Sequence, residues 1–317
     1  MGFLRRVFGG GGDAVPEWAP FDDGRAYRAF VDAVAADLTR RGLPFEMGDG
    51  VVHVMSRGAG GEPDQYGLSN LSQLCHANPQ DEWPRIIASH FTSLLAMQGR
   101  DLDALAADYD QVRPILRVRL MPDESMGGVD MPESVARPVA PGVLAVLVYD
   151  FPDSTATVHV DHLASWPVDL DGAFEQAVAN LDLEPKALRD ELEDGDARVT
   201  VRYGDGFYVA SDLLRLESVL PPDTVDALVA VPNRHTLLLH PVRDATVIDS
   251  MDAMYRLAVQ LFREGPGSIS DQPYWWHEGR LTHIPHLDQG SKIAIIPPDD
   301  FLAVLERAVA ASPGAPS

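Results

Sequence analysis

The sequence predicts an α+β fold: antiparallel sheets built from hairpins, covered by single amphipathic helices. Three observations lead there. Alternating apolar runs flank short turn signals at Gly48-Asp49-Gly50, Gly204-Asp205-Gly206 and Pro232-Asn233-Arg234. Single stretches of helical periodicity separate these pairs, as with Tyr27, Phe30, Val31, Val34 and Leu38. No Gly-rich turn joins a strand to a helix, and the Gly9–Gly12 run precedes any strand, so a doubly wound nucleotide-binding fold is set aside.

Taken in order, residues 1–19 read as a disordered tail. The first helix begins at Asp22 or Asp23, both good N-cap types, and stops at Arg40-Arg41-Gly42. The hairpin PFEMGDGVVHVMSR follows, then a loop over Gly58–Asp64, a short strand Tyr66–Leu68 and an apolar helical turn holding Cys75. DEWPRIIASHFTSLLAMQG reads as a helix with Trp83, Ile86, Ile87, Phe91, Leu94 and Leu95 inward. Together these form an N-terminal α/β unit over residues 20–99.

A C-terminal α+β unit over residues 100–310 opens with a polar helical connector, RDLDALAADYDQ. Strands VRPILRVRLM and GVLAVLVYDF flank the loop Pro122–Gly142, long enough for a compact domain to be mobile or functional. TATVHVDHL reads as a strand, and DLDGAFEQAVANL as a helix with Phe174, Ala177, Val178 and Leu181 on one side. ARVTVRYGDGFYVAS and ALVAVPNRHTLLLH read as hairpins. A helix over Ile248–Arg263, an aromatic hairpin, the strand KIAIIP and a last helix with Phe301, Leu302, Leu305 and Val309 inward complete the unit. Residues 311–317 are a tail. A weak echo between YGLSNLSQL…EWPRIIASHF and VHVDHLASW…GAFEQAVANL hints at two related α/β units.

Charge restricts the partners. Against 25 Lys+Arg stand 48 Asp+Glu in 317 residues, a formal net charge of −23. Such a surface repels phosphate backbones and anionic lipid, so no nucleic acid and no stable membrane association is expected. No run approaches the roughly 20 apolar residues of a membrane span. Phe3, Leu4, Val7 and Phe8 beside Arg5 and Arg6 make a marginal anchor at most. Cys75 is the only cysteine, which permits no intramolecular disulfide and fits a reducing, cytoplasmic setting.

The densest chemistry lies in DQPYWWHEGRLTHIPH, Asp271 to His286. With a two-residue turn at Glu278-Gly279, alternation puts Tyr274, Trp276, Leu281 and His283 on one face, and Trp275, His277, Arg280 and Thr282 on the other. His277 and His283 then point apart and do not share a metal ion, which needs ligands within about 2.3 Å. His286, after Pro285, lies in an irregular stretch. On this reading Trp276 plugs the core, and Trp275 caps a surface with Arg280 stacked on it. A second group is His159, Asp161 and His162. On a strand His159 and Asp161 share a face, the beginning of a metal or acid–base site, whereas an Asp161 that caps a turn into LASW is structural. Cys75 and His76 are neighbours, so on a helix their side chains diverge by about 100° and form no dyad. No GxSxG elbow is present.

The third group is Asp205, Asn233 and Arg234, polar residues at turn positions. If both hairpins end at one sheet edge, Arg234 and Asp205 flank a groove; otherwise Asp and Asn only shape the turns. The binding residues expected are therefore Asp205, Asn233, Arg234, Trp275 and His277. No catalytic set and no cofactor fingerprint is legible, and His159, Asp161, His162, His283 and His286 are the outlying metal candidates.

LDGAFEQAVANL, YGDGFYVASDLL, LVAVPNRHTLLL and WWHEGRL follow one another, preceded by RPILRVRL and VLAVLVYDF. This order resembles the YtpQ-like family of uncharacterised bacterial proteins over about residues 70–285. The resemblance implies a soluble, cytoplasmic bacterial protein and supplies no reaction or ligand. The expected role is a non-enzymatic interaction or adaptor protein that binds another protein. A metal-dependent hydrolase using the histidine/aspartate cluster is the alternative.

Overall fold

A computed structural model of the chain describes residues 15–16, 18–55, 63–98, 100–123, 134–152, 154–288 and 293–311. The chain divides into two compact units, Met1–Arg100 with Glu264–Pro266, and Asp101–Arg263 with Gly267–Ser317. Its antiparallel sheets and covering helices make it an α+β protein.

In the first unit α1 spans Gly24–Arg41. The Asp23 side chain accepts from the Arg25 and Ala26 amides, and Gly42 ends the helix with φ 66°, a left-handed conformation that glycine adopts without a Cβ penalty. Strands β1 (Phe45–Met47), β2 (Val51–Val54) and β3 (Asp64–Gly67) form an antiparallel sheet in that order. Helices α2 (Ser69–His76) and α3 (Trp83–Gln98) follow. Phe30, Val34, Leu38, Val52, Leu71, Cys75, Ile87 and Phe91 fill the core. The disordered tail expected through residue 19 is too long. Trp18 donates to Asp49 Oδ1 at 2.7 Å and meets the Tyr27 ring edge-on, while Ala19 and Phe21 are buried. An aromatic cluster pulls this stretch onto the core. The FLRRVF segment lies outside the described residues.

The second unit begins with two short helices, α4 (Leu102–Ala106) and α5 (Tyr109–Val112). Next come β4 (Leu116–Pro122), β5 (Ala136–Ala140), β6 (Val143–Phe151) and β7 (Ser154–Thr157). β6 is central, with β4 on one side and β5 and β7 on the other. The expected Pro122–Gly142 loop thus contains a strand, β5, which pairs with β6; residues 124–133 lie outside the described residues. TATVHVDHL is a strand only as far as Thr157. His159 Nδ1 accepts from the Asp161 amide and turns the chain into α6 (Val160–Ala164). Helix α7 (Leu170–Ala179) lays Ala173, Phe174 and Ala177 against the core. Each unit thus runs strand, short helix, longer helix, in β3-α2-α3 and in β7-α6-α7, where the sequence echo lies.

The larger sheet is built from β8 (Leu188–Asp194), β9 (Ala197–Tyr203), β10 (Asp226–Asn233), β11 (Thr236–Pro241), β12 (Pro273–His277) and β13 (Arg280–His283), in the order β13-β12-β10-β11-β9-β8. No hairpin forms around Gly204-Asp205-Gly206. β9 pairs with β8, which precedes it, and residues Ala210–Arg215 coil into a 3-10 helix that continues as α8 (Leu216–Val219). β8 is an edge strand with the sequence LRDELED, exposed along nearly its whole length, so it carries no apolar alternation to betray it. The β10–β11 turn falls at Arg234-His235, one residue later than expected, because a register shift follows Ala230 and Asn233 faces Thr236.

Register divides the six strands into two faces. Ala227, Val229, Leu237, Leu239, Tyr274 and Trp276 share a core with β4, β6 and α7. Leu228, Ala230, Leu238 and Trp275 lie against α9 (Thr246–Glu264) and α10 (Asp299–Ala310). A small sheet pairs β14 (His286–Asp288) with β15 (Ile293–Ile295). On α10 the inward stripe is Phe301, Val304 and Ala308, while Leu302 and Val309 are exposed. The helix carries two apolar stripes about 100° apart, and the contact of Phe301 with Trp275, ring centroids 5.1 Å apart, decides which turns inward. No described helix is long and apolar enough to cross a membrane. Phe301→Ala should cost about 3–5 kcal/mol of unfolding free energy in urea titration, and Leu302→Ala less than about 1. Equal losses would show that α10 is rotated from this orientation.

Candidate functional site

β9 ends at Tyr203 and β10 ends at Asn233, and the segments that follow them come together. The Gly204 amide donates to His235 O at 3.2 Å, and the Ala210 amide donates to Arg234 O at 3.2 Å. The polar turn residues at 204–207 and 233–235 therefore meet at one corner of the sheet, although no second hairpin brings them there. Asn233 is buried. Its side chain accepts from the His235 amide and donates to Leu261 O, which makes it a shaper of the turn. Asp205 is exposed and acts on His235 through its charge alone.

Arg234 is the central residue of this corner. Its Nε donates to His235 Nε2 at 2.9 Å, and its guanidinium lies 4.5 Å from the centroid of the half-exposed Phe207 ring. Its stem is held by Gly267, where a Cβ would come within 2.7 Å of Arg234 Cδ. Because Nε2 of His235 accepts, the imidazole proton sits on Nδ1 and is donated to Gly204 O at 3.1 Å and Gly206 O at 3.2 Å. Burial, and then the Arg234 charge, hold His235 below the ordinary imidazole range. Burial, with the added repulsion of Arg119, lowers Arg234 to about 10.

Arg119 arrives from β4. By register it shares a sheet face with Val146, Val148 and Asp150 of β6 and with Thr155 of β7. Arg119 Nη1 donates to Thr155 Oγ1 at 2.9 Å, and its buried Nε has no partner. Tyr208 reaches the same face and donates to Asp150 Oδ1 at 2.6 Å. Ser211 donates to Val118 O at 2.7 Å, so residues 208–211 run between Arg119 and the Arg234 backbone. Burial lowers the Arg119 guanidinium and raises the Tyr208 hydroxyl.

A cleft of about 390 Å³ opens beside this corner, lined in part by Glu184, Lys186, Arg202, Tyr208, Asp212 and Arg215. Its arginines are largely neutralised. Arg202 pairs with Asp212 at 2.7 Å, and Arg215 bridges Asp212 at 2.8 Å and Asp182. The cleft therefore contributes a balanced network rather than a charged receptor.

The remaining sequence-predicted residues disperse. The β12–β13 register pairs Tyr274 with His283, Trp275 with Thr282, Trp276 with Leu281 and His277 with Arg280. Trp276 is buried in the core, but Trp275 does not cap a surface and is not stacked by Arg280. It is buried beneath α10, stacks on His277 at 5.0 Å and donates to Asp226 Oδ1 at 2.9 Å. His277 Nδ1 lies 2.8 Å from the same oxygen. His283 Nε2 sits 2.8 Å from Gln272 Oε1, and His286 packs on Tyr255 with centroids 4.1 Å apart. His159 caps α6 rather than sharing a strand face with Asp161, and His162 places Nδ1 3.0 Å from Tyr149 Oη and Nε2 2.9 Å from Asp103. Among the described residues no three His, Cys, Asp or Glu side chains are grouped to hold a metal ion. Cys75 is buried, and that burial pushes its thiol up to about 12.

Sequence reasoning found Arg234 but missed Arg119, Asp150, Phe207, Tyr208 and His235. Alternating Arg117 and Arg119 within the otherwise apolar strand VRPILRVRLM was the available signal. Comparison with family models, with curated proteins and with solved structures finds no match.

The imidazoles of His235, His240 and His283 are all lowered by burial. The unfolded chain therefore takes up more protons than the folded one as pH falls through about 6.5. Stability should be full above that pH and decline below it. In an NMR titration the His235 ring should change charge at lower pH than free imidazole, and His235→Gln should flatten part of the decline. An ordinary His235 titration would refute the account in which burial and the Arg234 charge hold the ring neutral.

Proposed function

We propose that this chain is a non-enzymatic interaction protein of the cytoplasm, of the YtpQ-like kind that its motifs resemble, and that it binds a basic partner protein along β8. The observation that carries this reading is the outer edge of the six-stranded sheet. β8 pairs with β9 on one side only, and its LRDELED sequence points Asp190, Glu191, Glu193 and Asp194 at solvent. An open edge offers a row of backbone donors and acceptors to an added strand. Acidic side chains on it, in a molecule of net charge −23, favour basic partners and repel acidic ones.

A metal-dependent hydrolase would need His159, Asp161 and His162 to converge on one ion. His162 holds Tyr149 through Nδ1 and Asp103 through Nε2, so one of these contacts would have to be released before that ring could take an ion.

Pull-down from a native lysate should retain a basic protein at low salt and release it at about 0.5 M salt, where the Debye length falls toward a few ångströms. The pair Asp190→Lys and Asp194→Lys should abolish retention while leaving the melting temperature within a few degrees of the parent. Retention unchanged by the charge reversal, or no partner with a tag at either end, would end this reading.

A further inference from the structure

We propose that the cavity beside the end of β11 binds a small apolar α-amino acid, with its ammonium on His240 and Asp244 and its carboxylate on Arg243. The site is separate from the strand-pairing edge of β8 and does not depend on it. Register sets Glu191 of β8, Thr200 of β9 and Leu239 of β11 abreast on one sheet face. These three form one side of a cavity of about 240 Å³. Pro221, His240 and Pro241 continue its wall, and Arg243, Asp244 and Thr246 complete it at the start of α9. Its volume lies below the roughly 300–1,000 Å³ of drug-sized sites and suits a molecule of a few carbons.

His240 is the residue that calls for a ligand. It is 5% exposed, and its buried Nε2 has no hydrogen-bond partner. Its Nδ1 lies 2.6 Å from Arg198 O, a carbonyl that can only accept, so the ring proton sits on Nδ1 and Nε2 is a bare acceptor. Burial keeps the ring below the ordinary imidazole range and therefore neutral. A buried acceptor left unmade costs about 1–3 kcal/mol. The donors of the wall do not relieve it. Thr200 donates to Glu191 at 2.9 Å, Thr246 donates to Asp244 at 2.6 Å, and Arg198 Nη1 donates to Gly195 O and Ala197 O. What completes His240 is an N–H or O–H brought in from outside. A metal ion does not fit, since among the described residues no three His, Cys, Asp or Glu side chains are grouped to hold one.

The charges of the wall select a zwitterion. Glu191 is neutralised by Arg189 at 2.7 Å, and Arg198 lies 3.6 Å from Glu193. That leaves Asp244 and Arg243. They are neighbours in sequence, opposite in sign and part of one cavity, yet among the described residues neither forms an ion pair. Asp244 uses Oδ1 to hold the Thr246 amide and hydroxyl, and its Oδ2 remains open. An ammonium carries three N–H donors, which suits His240 Nε2 and Asp244 Oδ2 together. The Arg243 guanidinium is exposed, at the rim, and presents a fork that matches a carboxylate. Leu239, Pro221 and Pro241 offer the remaining surface to a short apolar side chain.

The test titrates the full chain with L-valine, followed by calorimetry and thermal melting. Isobutylamine, which lacks the carboxylate, and isovalerate, which lacks the ammonium, are run at the same ionic strength. Valine should bind and raise the melting temperature, and each half-ligand should bind at least about 10-fold more weakly. Arg243→Gln should weaken valine about 10- to 100-fold and leave isobutylamine unchanged. Asp244→Asn keeps an oxygen for the Thr246 amide, and it should weaken valine and isobutylamine together. His240→Phe, which removes the acceptor, should weaken valine by a similar factor. If that variant does not fold, Arg243→Gln and Asp244→Asn decide. Arg256→Gln, which removes a surface ion pair on α9, should leave affinity unchanged. The site is overturned if valine on the order of 10 mM shifts neither melting nor heat, or if isobutylamine binds as tightly as valine. Arg243→Gln binding valine as tightly as the parent overturns it as well.

Discussion

Burial of both faces of β10 and β11 is the constraint from which the second unit follows. Every residue of β10 and all but the last of β11 are shielded from solvent. Strands in that position must be apolar on both sides and cannot serve as an edge. Each face then needs its own cover. One is supplied by α9 and α10, the other by the sheet of β4 to β7 with the coiled segment after Tyr208. Polar groups caught inside must find partners. Asp226 does so by accepting from the Trp275 indole and meeting His277, so two residues that look like a ligand site in sequence are occupied in satisfying one carboxylate.

The same constraint locates the arginine corner. A doubly buried hairpin puts its turn where the layers end, and there the backbone amides of Gly204 and Ala210 close onto Arg234 and His235. The turn residues cannot all face water, because the segment carrying Tyr208 and Ser211 is drawn inward to bond Asp150 and Val118. Arg234 is consequently half-enclosed by its own supports. A molecule of net charge −23 thus holds Arg234 at a layer junction, where burial and the repulsion of Arg119 lower its guanidinium to about 10.

The candidate site was only partly legible in sequence. Sequence alone places Arg234 and Asp205 together only if two hairpins end at one sheet edge; their segments do meet, but the 204–207 segment leads into a 3-10 helix and forms no hairpin. Gly204-Asp205-Gly206 is an excellent hairpin signal by local rules, yet Tyr208, Ala210 and Leu213 are buried in the core that holds β4 and β6 and do not pair along β9. Arg119 lies 115 residues from Arg234 in the sequence, and nothing in either neighbourhood announces the other. His159 and Asp161 share no strand face for a local reason: the His159 imidazole accepts from the Asp161 amide and caps α6.

The sequence by itself determined the fold class, the start of α1 to within Asp22 or Asp23 and its stop at Gly42, the pairing of β12 with β13 and the inward Trp276, because each depends on periodicity or on turn chemistry within a few residues. Tertiary structure alone decided that LRDELED is an edge strand, that α10 turns Phe301 inward and leaves Leu302 outside, and that Trp275 is buried. It also decided which arginines find carboxylates and which do not. These outcomes rest on which surface lies opposite, a property of packing between segments far apart in the chain that no local pattern encodes.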